Sequence, residues 1–151
     1  DSCRIEKAFR HFGHDISDED HVLEAGLDFA VDLEKPKSTL GDFIGYDSVR
    51  RVAEKGLTRR LLQFQLIDPS PLLFHNEPIV RDGEIAGYLT SGAYGHHLGG
   101  AIGLGYVSFS ESDSLHQLLE SKYEIIVANK NYKALHSVKA LYDPYNTRMQ
   151  E

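Results

Sequence analysis

The sequence predicts an α+β chain, helical in character up to residue 55 and then built of short strands that close into a small barrel or sandwich. Three observations carry this. Ile5, Ala8, Phe9 and Phe12 recur at spacings of three and four, which is one stripe of a helix. After Gly56 the period becomes two, as in Leu62, Phe64 and Leu66 alternating with Gln63 and Gln65. Turn signals then separate the apolar runs. The expected division is residues 1–55 and residues 57–151.

Taken in order, Asp1–Phe12 reads as an amphipathic helix stopped by Gly13, a residue that accepts a left-handed backbone. Ser17, Asp18 and Asp20 offer caps for a short helix through Val22–Ala25, closed by Gly26. Leu27, Phe29, Val31 and Leu33 alternate with Asp28, Ala30 and Asp32, so Leu27–Leu33 is expected to be a half-buried strand. Pro36–Gly41 reads as a loop. Asp47 or Ser48 opens a helix through Lys55, with Val49, Val52 and Ala53 inward and Gly56 as its stop. Ile79–Arg81 and Glu84–Leu89 flank Asp82-Gly83, a two-residue hairpin signal. Ala101–Phe109 is an apolar strand spaced by glycines. Tyr123–Ala128 and Tyr132–Leu141 flank a second turn, Asn129-Lys130-Asn131.

Charge narrows the function. With 16 Lys plus Arg against 23 Asp plus Glu, the net charge is −7. Nucleic-acid binding needs clustered cations, so it is not expected. The local group Arg50, Arg51, Lys55, Arg59 and Arg60 reads as a solvated helix end rather than a polyanion site. No apolar run is long enough for a membrane helix, and no signal peptide is visible. The single cysteine, Cys3, excludes an intrachain disulfide, which fits a reducing compartment, and reads as a plain buried thiol.

The remaining motifs have bland readings. His11 and His14 have Gly13 between them, which breaks a helical register, and the adjacent His96 and His97 point apart, so no metal site is expected. Gly99, Gly100, Gly103 and Gly105 run into a strand rather than a helix, so bulges or close strand packing explain them better than a phosphate loop. Ser91 lacks the frame of a nucleophile elbow.

Four stretches in order carry a resemblance. The first is Arg4-Ile5-Glu6-Lys7-Ala8-Phe9-Arg10-His11-Phe12-Gly13-His14-Asp15. The second is Leu23-Glu24-Ala25-Gly26-Leu27 with Phe43-Ile44-Gly45. The third is Gly87-Tyr88-Leu89-Thr90-Ser91-Gly92-Ala93-Tyr94 with Leu98-Gly99 and Ala101–Val107. The fourth is Leu141-Tyr142-Asp143-Pro144 with Arg148. Together they resemble the C-terminal portion of the glycine-cleavage aminomethyltransferase (T-protein) family. Lys7 after Glu6, with aromatics and histidines following, looks most like the folate-binding domain of dimethylglycine and sarcosine dehydrogenases. The cysteine-centred motif of the transfer-RNA-modifying branch is not found.

The resemblance implies the C-terminal piece of a folate-binding α/β domain followed by a small antiparallel β-barrel. It implies tetrahydrofolate as cofactor and transfer of a one-carbon unit from an N-methyl-amine-derived intermediate to it, with FAD confined to an upstream domain. A stand-alone glycine-cleavage enzyme or a non-catalytic barrel module are the alternatives. It also implies roles for residues. Glu6 matches the family glutamate whose carboxylate, an acceptor-only group, takes the adjacent N–H donors of the pterin. Arg148 and Lys35 match basic residues on the folate side. Arg4 is read as an alternative structural ion-pair partner of Asp15 or Glu24. The family's catalytic aspartate lies upstream of Asp1, so no catalytic residue is assigned and the chain alone is expected to be inactive. Asp1 opens inside an expected helix, which suggests the end of a longer polypeptide, although removal of a leader would look the same. Partners are then folate and the upstream part of the same polypeptide, without nucleic acid or membrane. The expected location is bacterial cytoplasm or mitochondrial matrix.

Overall fold

The structure is a computed structural model that describes residues 1–33, 43–110 and 113–150. Six antiparallel strands form a closed barrel: β1 (Arg59–Leu66), β2 (Pro78–Arg81), β3 (Glu84–Gly95), β4 (Gly100–Ser108), β5 (Tyr123–Val127) and β6 (Lys130–Ser137). Their order around the barrel is β1-β4-β3-β2-β5-β6, and β6 returns to β1 through the pairs Gln63–Ser137 to Leu66–Ala134. The predicted α+β class and barrel are what is observed.

Alternation sorts the side chains as the pleat requires. Leu62, Phe64 and Leu66 of β1, with Leu89, Val107 and Ile125, fill the barrel interior, where Phe64 is fully buried. Leu61, Ile102 and Leu104 face outward, yet they are buried too. The N-terminal segment covers them: Ile5 and Ala8 pack on that outer face. Two members of the first stripe, Ile5 and Ala8, therefore find a packing partner in the barrel itself. Gly103 and Gly105 mark close packing, as expected: a Cβ there would lie 2.9 Å from Ser91 O and 2.6 Å from Tyr88 O respectively.

Several local expectations are corrected. The first helix, α1, spans only Ser2–Glu6. Ala8 takes φ 53, and the amides of Ala8 and Phe9 return to Ile5 O (2.8 Å) and Arg4 O (2.8 Å), a left-handed helix stop that uses alanine instead of glycine. Phe9 and Phe12, beyond that stop, are exposed. Cys3 is exposed rather than buried. The expected helix at Val22–Ala25 is a single turn. Leu27–Leu33 is no strand: Asp28–Ala30 forms a 3₁₀ turn, because every strand of the closed barrel already has both edges paired. Residues 36–41, expected to be a loop, fall outside the described residues.

The second helix, α2 (Tyr46–Lys55), begins one residue early and stops at Gly56 as expected. Val49 and Val52 are half-buried, but Ala53 is exposed. The Asp82-Gly83 hairpin forms with φ 50 and 97. The second hairpin turns on Ala128-Asn129 rather than 129–131, both with positive φ, and Val127 pairs with Lys130. β3 continues past Leu89 to Gly95 across a bulge at Thr90. β6 ends at Ser137 rather than Leu141, because the Leu141 amide leaves the sheet to donate to Gln63 Oε1 at 2.6 Å. A helix not anticipated, α3 (Leu115–Glu120), packs Leu118 into the barrel. Among the described residues, no helix is long and apolar enough to cross a membrane.

Candidate functional site

Glu6 is the last residue of α1, so the stop at Ala8 fixes where its side chain goes. It is 3% exposed. Its Oε1 accepts the successive amides of His97 (2.7 Å) and Leu98 (3.2 Å), which the β3–β4 connection presents together. Its Oε2 lies 3.5 Å from His97 Nδ1. The carboxylate points inward, onto the β3–β4 connection. It does not line the cavities that flank its segment.

Gln63 anchors the backbone around it. This fully buried amide donates to Ile5 O at 2.5 Å and Glu6 O at 3.3 Å, while its own oxygen accepts Leu141 N–H. Sequence reasoning missed Gln63, because a polar residue in an alternating strand reads as solvent-facing; only the covering N-terminal segment buries it. Beside Glu6 the C-terminal tail contributes Tyr142, whose amide donates to Glu6 O at 3.4 Å. The His97 ring stacks on Tyr142 at 4.5 Å between centroids. Arg148 approaches the same tyrosine, donating to its hydroxyl at 3.3 Å with the guanidinium 5.5 Å from the ring centroid. Lys7 Nζ binds Asp143 O at 2.6 Å and lies 5.8 Å from the Tyr142 centroid. Of the sequence-predicted residues, Glu6 meets Tyr142 only through its main-chain carbonyl and Arg148 meets it through its guanidinium; Lys35 lies outside the described residues.

Two cavities border this segment. One, about 610 Å³, lies between the first segment and the tail and is lined by Lys7, Arg10, Phe29, Lys139 and Tyr145 among others. Burial, and then the nearby Arg60, push the Arg10 guanidinium below its ordinary pKa. The other, about 230 Å³, is lined by Arg4, His11, His14 and His75. Its histidines do not assemble a metal site: among the described residues, no group of three or more His, Cys, Asp or Glu is placed to hold an ion. His96 lies edge-on against Tyr94, whereas the His97 ring lies on Tyr142. Three residues of the basic cluster are answered by carboxylates: Arg50 by Glu54, Arg59 by Asp20 and Glu24, Arg60 by Asp28.

A closed six-stranded antiparallel barrel, carrying an N-terminal segment whose buried carboxylate is gripped by a strand connection, defines the class of protein. The family described as "Glycine cleavage T-protein C-terminal barrel domain" matches residues 59–143, and the chain belongs to it. A 4-methylaminobutanoate oxidase (formaldehyde-forming) of Paenarthrobacter nicotinovorans is 35% identical over 150 residues, 99% of this chain and 17% of that protein. The mitochondrial dimethylglycine dehydrogenase of Rattus norvegicus is 32% identical over 156 residues, again 99% of this chain and 17% of its own length. The chain therefore spans about a sixth of these relatives. The crystal structure of glycine cleavage system aminomethyltransferase T from Bartonella henselae superposes with a TM-score of 0.71 at 22% identity, covering 91% of this chain and 36% of that one; this likeness bears on the fold alone.

Proposed function

We propose that this chain is the tetrahydrofolate-facing end of an aminomethyltransferase, passing a one-carbon unit from an N-methyl-amine-derived intermediate to tetrahydrofolate within a flavin-dependent dimethylglycine or sarcosine dehydrogenase-like protein. The burial and orientation of Glu6 carry the reading. A carboxylate offers about four acceptor positions. The His97 and Leu98 amides use two on Oε1, which leaves Oε2 with acceptor capacity for the donor edge of a pterin. Arg148, and Lys35 outside the described residues, are assigned to the anionic folate tail. In this reading Glu6 supplies an acceptor and Arg148 a cation to bind and orient the cofactor. When bound, tetrahydrofolate supplies the nitrogens that receive the one-carbon unit.

In this reading residues 1–55 complete the folate-binding domain and 57–151 form its barrel. FAD and the group that activates the folate nitrogen belong to an upstream part of the same polypeptide, and the location is bacterial cytoplasm or mitochondrial matrix. The chain alone has no transferase activity and binds folate weakly.

One observation favours a second reading, a scaffold without folate: the amides that hold Oε1 would give Glu6 a purely structural role. Glu6→Gln separates the two. Glutamine keeps a carbonyl for the amides of His97 and Leu98, so the fold is retained, but it replaces the second acceptor with an NH₂ donor. Calorimetric titration of the full-length protein with tetrahydrofolate is expected to weaken roughly 5- to 150-fold, the equivalent of about 1–3 kcal/mol for a buried unmet donor. Unchanged affinity selects the scaffold.

A further inference from the structure

The geometry points to a site that Glu6 does not line: the cavity between the first segment and the tail binds a small organic anion, a carboxylate carried on a flat apolar body. Its volume of about 610 Å³ is that of a small-molecule pocket. Lys7, Arg10 and Lys139 line it against one carboxylate, Asp143. That carboxylate is already spent. Its Oδ2 takes Lys7 at 3.2 Å, and its Oδ1 takes the Thr147 amide at 2.9 Å and hydroxyl at 3.0 Å.

Arg10 and Lys139 are left over. Arg10 donates only to main-chain carbonyls, those of Ala25 (3.0 Å), Ala8 (2.9 Å) and Gly26 (3.3 Å). A guanidinium has more N–H donors than these bonds use, and a carbonyl does not cancel its charge. Arg60 reaches the same glycine: a Cβ on Gly26 would lie 2.7 Å from Arg10 Nη2 and 3.3 Å from Arg60 Nη2. Asp28 answers Arg60, whereas among the described residues no carboxylate pairs with Arg10. Half-buried and beside a like charge, Arg10 lacks a counterion. Lys139 Nζ stands 3.4 Å from the Tyr145 hydroxyl and 4.7 Å from the centroid of its ring, with donors to spare.

The remaining lining suits the body of the ligand. Phe9, Phe29 and Tyr145 also face the cavity and are 58%, 83% and 69% exposed. Aromatic rings beside unanswered cations take a flat apolar group by stacking while the cations take its anionic end. A cationic ligand would meet Arg10 and Lys139 and, among the lining residues, no unspent carboxylate.

The probe is 2-naphthoate, followed by ligand-observed saturation-transfer NMR with the full-length protein. A saturable signal is expected. Neither 2-naphthylmethylammonium, the same body with the opposite charge, nor inorganic phosphate, an anion without that body, is expected to displace it. Lys139→Gln should weaken naphthoate roughly threefold. Phe29→Ala should weaken it roughly threefold to tenfold. Both side chains are exposed, so the fold is retained. Lys133→Gln, at an exposed lysine of β6 that does not line the cavity, and Glu6→Gln should leave naphthoate binding unchanged. Absence of saturable binding overturns the proposal, as do displacement by the ammonium or by phosphate and indifference to either Lys139→Gln or Phe29→Ala. Weakening by Glu6→Gln also overturns it, by moving the probe to the Glu6 carboxylate. So does weakening by Lys133→Gln equal to that by Lys139→Gln, which would show a diffuse response to charge. None of these outcomes bears on the folate reading, which the tetrahydrofolate titration of Glu6→Gln tests separately.

Discussion

Arg4 and Asp15 form an ion pair at 2.6 Å in which the carboxylate has no solvent exposure. The other three positions around Asp15 are also filled: His11 N–H at 2.8 Å on the same oxygen, and the hydroxyls of Thr90 at 2.5 Å and Ser91 at 2.6 Å on the other. Thr90 and Ser91 are neighbours in sequence, so in a regular strand they would face opposite ways; the bulge at Thr90 turns both toward Asp15. This contact ties the N-terminal segment to the barrel. Of the two partners foreseen for Arg4, the structure selects Asp15, and Glu24 goes to Arg59.

Asp15→Ala should therefore be severe. It leaves Arg4, the His11 amide and two hydroxyls without their acceptor, and breaking one side of a buried pair costs about 3–5 kcal/mol. Arg4→Ala should cost less, because Asp15 keeps three donors. Urea denaturation of both variants checks the size and the order.

Gly87→Ala tests the closeness of β3 and β4. A Cβ at Gly87 would stand 1.9 Å from Tyr106 O, a main-chain atom that cannot move aside without breaking the strand pair. A loss of about 3 kcal/mol, the upper end for overpacking, is expected in thermal or chemical denaturation.

Alkaline pH should weaken the fold through two phenols. Burial pushes Tyr106 and Tyr123 from 10.0 up to about 12. Raised values mean stability that is complete below pH 10 and lost as pH climbs through 12. Absorbance titration should show two of the eight tyrosines ionising late or only on unfolding. Tyr106→Phe should flatten part of the alkaline decline in melting temperature.

Acid should act through Asp113. The hydrogen bond from Arg81, 2.9 Å long, holds this carboxyl below its ordinary 3.8. A lowered value means stability present above the ordinary carboxylate range and lost as pH falls through the shifted one. The melting-temperature gap between Asp113→Asn and the unsubstituted protein should be widest at neutral pH and close as pH falls through the lowered value.

The barrel was legible because its information is local: alternation at Leu62–Leu66 and a glycine-aided turn at Asp82-Gly83 depend on adjacent residues. α3 was legible and overlooked, since Ser114 and Gln117 form a reciprocal capping box three residues apart. The end of α1 was not, because alanine carries no stop signal and Ala8 adopts φ 53 only with the barrel behind it. The same distinction governs the site. Glu6 and Arg148 entered through resemblance, whereas Gln63, His97 and Tyr142 acquire their places from contacts between distant parts of the chain.

The seam between β1 and β6 has a further consequence. It joins the first and last strands of the sheet, so the ring cannot be completed until the whole of residues 59–137 has been made. A version cut anywhere within that span would bare two adhesive edges, ready to recruit a neighbouring molecule. Truncations should accordingly end in aggregates rather than in smaller folded pieces.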